Sequence, residues 1–150
     1  MSGIGIVVEG LYDEAIVRAL ARAIVPGIGI RIRRARGRGN LLQKAPGLAR
    51  ELFGRTCQKV LVLVDSNGDD PSDLRNTVQN RMGSLPSVRV VIAIRAIEAW
   101  LLADPKVCES DYENPEDVLN PKEELKRRLR SRGIDYIPKI AERLAEELDV

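Results

Sequence analysis

The run from Val60 to Pro71, VLVLVDSNGDDP, passes from five aliphatic residues into three carboxylates and an amide within six positions, Asp65 to Asp70. Oxygen ligands gathered this way suit a hard cation such as Mg²⁺. The same residues also make a polar turn that caps the next helix, and taken alone the stretch leans towards that reading. Two more carboxylates stand in comparable places. Glu9 follows the apolar run Ile4–Val8 and precedes Gly10, which permits a sharp exit. Glu98 follows the apolar run Val88–Ile94 by four residues, in the segment EAWLLAD that ends at Asp104. Placed mid-helix, Glu98 is either a metal ligand or the partner of Arg95 or another Arg, and Trp100 reads as a core aromatic.

Cations cluster elsewhere. Residues 31 to 38 hold five arginines, and Arg36 to Asn40 reads as a glycine-rich basic loop. Arg31, Arg33, Arg36 and Arg38 could grip phosphate oxygens, because a guanidinium binds them bidentately. The alternative is a basic edge strand protected from edge-to-edge pairing. Gly37 and Gly39 lack the third glycine of a dinucleotide fingerprint and open no clear helix. A second basic cluster, Lys126, Arg127, Arg128, Arg130 and Arg132, reads as a solvated helix face with Glu-to-Arg pairs. The chain has no His, which excludes triads and proton relays built on that residue in cis. Its two cysteines, Cys57 and Cys108, have no metal-like spacing and fit a reducing cytoplasm. Net charge is +2, so only the distribution of charge bears on nucleic acid. No apolar run approaches a membrane span, and no signal-peptide pattern opens the chain.

The elements that must position these groups follow from periodicity. Apolar runs at 4–8, 28–35, 60–65 and 88–94 predict four strands. Spacings of three and four predict helices over 13–25, 41–55 with Pro46 in its first turn, 72–82, 121–132 and one from Pro138 to the end. Residues 105–121 read as an acidic loop. Strands alternating with helices build a mainly parallel four-stranded sheet with right-handed crossovers, an α/β fold whose ligands bind at the carboxyl ends of the strands. Glu9 and Asp65 then share that edge. Residues 1–104 form the core, and 105–150 a loop and helical extension packed on the same domain.

Three segments together resemble a known superfamily: Glu9-Gly10 with Asp13 and Glu14, Asp65-Ser66-Asn67, and Glu98 to Asp104. A strand ending in Glu-Gly, followed two βα units later by a strand ending in Asp-x-Asp, resembles the Toprim domain of topoisomerases, primases, recombination proteins and OLD-family nucleases. The Glu-Gly-x-x-Asp-Glu pattern is most similar to the OLD-like nucleases, and Asn120 to Lys122, Tyr136 and Lys139 extend the likeness to small uncharacterised Toprim-like proteins. The resemblance implies that Glu9 acts as general acid/base or metal ligand and that Asp65 binds Mg²⁺ or Mn²⁺. The second Asp of the pair is Asn67 here, which offers a carbonyl oxygen without the charge. Asp69 or Asp70 could supply that charge. An EF-hand reading fails, because Asp70 stands where the loop requires Gly.

The expectation is therefore a metal-dependent, cytoplasmic phosphodiester hydrolase acting on DNA or RNA. Glu9 and Asp65 are its catalytic residues, Glu9, Asp65, Asn67, Asp69 and Glu98 its metal ligands, and the arginines its phosphate grip. Two Mg²⁺ ions held by carboxylates would activate water and stabilise the transition state without His. The alternative, made open by Asn67, is a catalytically weak or inactive module that binds nucleic acid or a partner protein. A homodimer is a further possibility.

Overall fold

The computed structural model describes residues 3–105 and 114–150. Strands β1 (Gly3–Val8), β2 (Gly29–Arg34), β3 (Cys57–Asp65) and β4 (Val88–Ala93) are all parallel and lie in the order β2-β1-β3-β4. The unbroken apolar runs take the two inner places, where both faces need cover. Side chains alternate between two cores. Ile6, Val8 and Leu63 point to one, while Val7, Val60, Val62 and Val64 point to the other. Helix α1 (Leu11–Ile24) covers the first face, and α2 (Arg38–Gly54) and α3 (Pro71–Met82) cover the second. The fold is a Rossmann-like α/β sheet.

The C-terminal part joins the first core. Helix α4 (Glu98–Leu102) is followed by a 3₁₀ turn at Pro115–Asp117, then by α5 (Pro121–Ser131) and α6 (Pro138–Glu146). Leu125, Leu129, Ala141 and Leu144 are buried in the same cluster as Ile6 and Val8. Glu123 and Glu124 pair with Lys126, Arg127 and Arg128 along α5, so much of the second basic cluster lies on an ion-paired helix face.

Three expectations need correction. The Arg36–Asn40 segment is not wholly a loop, because α2 opens at Arg38 after Gly37, whose φ of 120° favours glycine. Pro46 lies inside α2 and not in its first turn. A proline there costs about 3 kcal/mol intrinsically, offset by burial of Leu41, Ala45, Ala49 and Leu52 on the sheet. Glu98 is the first residue of α4 rather than a mid-helix residue. The acidic-loop reading of residues 106–113, with Cys108, falls outside the described residues. Among the described residues no helix is long and apolar enough to cross a membrane.

Strand order places the site. From β1 the chain runs outward to β2, then crosses back to β3 on the other side of β1. The two connections diverge between β1 and β3, and a crevice forms beyond their carboxyl ends. Glu9 directly follows β1, and Asp65 ends β3. Gly5 supports this arrangement from behind, since a Cβ there would stand 2.8 Å from Leu52 Cδ1. Only glycine lets α2 lie this close to β1.

Candidate functional site

Four carboxylates gather at the crevice. Asp65 is buried at 9% exposure, and its Oδ1 accepts from the Ile97 main-chain N–H at 3.0 Å. The turn after β4 is held in place by β3: Ser66 Oγ accepts from Arg95 N–H at 2.7 Å, and Asn67 N–H donates to Arg95 O at 2.8 Å. That turn carries Arg95 at φ 67° and delivers Glu98 into the interior at 3% exposure. Tyr136 donates to Glu98 Oε1 at 3.2 Å. Asp13 stands in the first turn of α1, where its Oδ2 accepts from Gly10 N–H at 3.1 Å. Glu9 completes the group, and its Oε1 is buried without a hydrogen-bond partner.

Electrostatics ties the four together. Burial, followed by the charges of Asp13, Glu9 and Glu98, pushes Asp65 up to about 9, against the opposing Ile97 N–H. Glu9 is raised by burial and then by Asp13, while the Asp65 main chain and the Arg38 guanidinium oppose the rise. Asp13 is raised by burial, with Gly10 N–H and Lys122 acting against it. Glu98 is raised mainly by burial, and Lys122 and Tyr136 favour its ionised form. Burial and the neighbouring Glu98 push the Tyr136 phenol up, so it stays a hydrogen-bond donor. Carboxylates crowded in a poorly solvated space retain protons that separate ones would lose.

The C-terminal helices supply the third wall. Tyr12 Oη donates to the Tyr136 carbonyl at 3.0 Å, and the two rings lie 4.8 Å apart at 31°. Lys122 Nζ sits 3.9 Å above the Tyr12 ring, where the ring's negative face attracts a cation. Lys122 thereby stands near enough to act on Asp13 and Glu98.

Of the residues singled out in the sequence, Glu9, Asp65 and Glu98 come together. Asn67 and Asp69 do not join them: both are exposed on the turn after β3, with Asn67 in the left-handed region at φ 49°. Asp69 is ion-paired with Arg38. Asp70 caps α3 by accepting from Asp73 N–H at 3.0 Å, so the polar-turn reading holds for that residue. Glu98 pairs with a tyrosine and with none of the arginines considered for it. Trp100 is half-buried against the first core. Arg33 is held by Glu51 at 2.8 Å, and Arg31 and Arg36 are exposed. Among the phosphate-grip arginines, it is Arg38 whose charge acts on Glu9.

Asp13, Tyr12, Lys122 and Tyr136 were not read as site residues. Asp13 carries the local signal of a helix-start charge, and its place in the Glu-Gly-x-x-Asp-Glu pattern, four residues after Glu9, is the signal that could have found it. Tyr136 lies in a stretch without periodicity. As the side chains stand, no three or more carboxylates or thiols among the described residues converge to hold a metal ion.

Searches of curated proteins and of solved structures each returned no match. A family model described as a domain of unknown function, DUF4276, matches residues 8–150, a span that contains Glu9, Asp13, Asp65, Glu98, Lys122 and Tyr136. The chain, with its carboxylate crevice, belongs to the DUF4276 family.

Proposed function

We propose that this chain is a Mg²⁺- or Mn²⁺-dependent phosphodiester hydrolase acting on nucleic acid, as its resemblance to Toprim domains implies. One observation carries the reading: Glu9 Oε1 is a buried oxygen with no hydrogen-bond partner, set among three other raised carboxylates at the crevice between β1 and β3. A buried polar atom left unpaired costs stability and marks a place where a cation, water or substrate proton fits. Glu9, Asp65 and Glu98 are the residues that would hold the metal, and their hard oxygen donors suit Mg²⁺. The carboxylates do not enclose an ion as they stand. Cation binding therefore has to draw them together against their mutual repulsion.

When bound, the cation supplies charge for the phosphoryl oxygens and lowers the pKa of water. The chain's own groups do the rest. Glu9, with one buried oxygen free of a hydrogen-bond partner, is suited, once ionised, to take a proton from an attacking water. Tyr136 holds Glu98 in one orientation. Arg38, next to Glu9, is the guanidinium placed to take a phosphate.

The test is cleavage of labelled DNA and RNA by the full chain with Mg²⁺ or Mn²⁺. Glu9→Gln and Asp65→Asn are each expected to lower the rate by about 10²–10⁴-fold. Cleavage unchanged in both variants overturns the proposal. The second reading, a binding module without turnover, is favoured by the exposed Asn67 and by the unconverged carboxylates. It predicts salt-sensitive binding and no product in the same assay.

A further inference from the structure

The Arg38–Asp69 ion pair joins the first turn of α2 to the turn after β3. Each partner is held by its own backbone. Gly37 N–H donates to Glu9 O at 3.0 Å, which ties the start of α2 to the residue that follows β1. The Arg38 side chain leaves from there and is 27% exposed. On the other side, Asp69 N–H donates to Ser66 O at 2.9 Å, with Asn67 at φ 49° and Gly68 at φ 95° forming the turn. Asp70 anchors the far end of that turn as the cap of α3. Asp69 is therefore presented on a closed turn, and its side chain is 61% exposed.

The partners have unequal surroundings. Arg38 is the less exposed, lies beside Glu9, and opposes the rise in that carboxyl's pKa. The first turn of α2 contains no acidic residue, and a Cβ added at Gly37 or Gly39 would meet nothing within 4 Å. Arg38 therefore has no acidic neighbour in its own helical turn; the carboxylates that act on it are Asp69, its ion-pair partner, and Glu9. A carboxylate on a guanidinium presents two oxygens in the geometry that a phosphodiester also presents.

We infer that Asp69 occupies, on Arg38, the place of a substrate phosphodiester, so that nucleic acid binds by displacing Asp69 and is drawn towards Glu9. The inference rests on the proposed function for its substrate class. It changes the role of Asp69 from metal ligand to internal competitor, and it makes Arg38 a positioning residue for the phosphate beside Glu9. Discrimination follows from the same contact. A ligand must offer an anion that outcompetes an exposed carboxylate, which a polyanionic strand does through its neighbouring phosphates and a neutral ligand does not.

The test is fluorescence anisotropy of a fluorescein-labelled single-stranded oligodeoxynucleotide, with EDTA present so that no cleavage intervenes. It compares the full chain with Asp69→Asn, Arg38→Gln and the double variant, after thermal melts confirm folding. Asp69→Asn is expected to tighten binding about two- to fivefold, the range of an exposed ion pair released from competition. Arg38→Gln is expected to weaken binding, and in its presence Asp69→Asn is expected to have no further effect, because the competitor then has nothing to compete for. Equal tightening by Asp69→Asn in both backgrounds means a general loss of negative charge and overturns the inference. So does weaker or unchanged binding by Asp69→Asn in the presence of Arg38. If Asp69→Asn melts early, Asp69→Ser carries the same comparison. Absence of cleavage together with intact Arg38–Asp69 coupling sinks the hydrolase and leaves the inference standing; cleavage without coupling does the reverse. No binding by any form overturns the inference.

Discussion

Burial, and then the charges of three neighbouring acidic side chains, favour the protonated form of Asp65. Its carboxyl is pushed up to about 9 in the folded chain from an ordinary 3.8, so the folded state binds the proton more tightly than the unfolded one. A raised folded pKa contributes stability that is complete below the unfolded value and lost as pH rises through the folded one. The metal-free protein is therefore expected to lose stability progressively between about pH 4 and pH 9. Urea midpoints measured across that window check this. Asp65→Asn keeps an acceptor for the Ile97 N–H and removes the ionisation; it is expected to flatten the pH profile and to raise metal-free stability by about 0.5–2 kcal/mol at the alkaline end. A profile as steep in Asp65→Asn as in the parent places the pH dependence on other groups. A divalent cation competes with the proton, so added Mg²⁺ should stabilise the parent increasingly as pH rises.

At the scale of elements, the site is made where four segments end or begin: β1, β3, the start of α1 and the turn after β4. The tyrosines join these to the C-terminal helices. Tyr12 donates to the Tyr136 carbonyl, and Tyr136 donates to Glu98, so α1 and α4 are linked through a residue that belongs to neither. Tyr136→Phe leaves a buried acceptor unpaired on Glu98 and is expected to cost about 1–3 kcal/mol in urea denaturation. It is also expected to raise the Glu98 pKa, because the lost hydrogen bond favours the ionised carboxylate. NMR titration of the carboxyl carbon reads that shift, which a purely packing role for Tyr136 would not produce. Helix α2 shows the same logic for backbone. Its interior Pro46 and the approach of Leu52 to Gly5 are both decided by packing against β1 and not by local preference.

Over the whole molecule, the helices after residue 120 are part of the core and not an appendage. Leu125 is fully buried with Ile6, Val8 and Leu63. Leu125→Ala is expected to cost about 2–5 kcal/mol and to shift a single cooperative transition, followed by circular dichroism, to lower urea. Two separate transitions would show that the helical part folds apart from the sheet. Much of this architecture was legible in the chain itself. Unbroken aliphatic runs have one stable use in a sheet covered on both faces, and their alternation with amphipathic helices leaves little choice but parallel crossovers. Carboxylates directly after such runs, Glu9 and Asp65, are carried to the strand ends by covalent connectivity, so their common edge also followed from the sequence. The remaining assignments depended on distances between residues far apart in the chain. Asp13 reads as a helix-start charge until the fold brings it close enough to act on Glu9 and Asp65; Tyr136 shows no local role until it reaches Glu98. Asp69 reads as a ligand until the turn after β3 turns it towards Arg38. Local pattern determined which residues stand at the strand ends, because hydrophobic period and chain connectivity are local; only the tertiary structure decided which carboxylates share a desolvated space and which are neutralised elsewhere, because Coulomb energy and burial depend on neighbours that the sequence does not order.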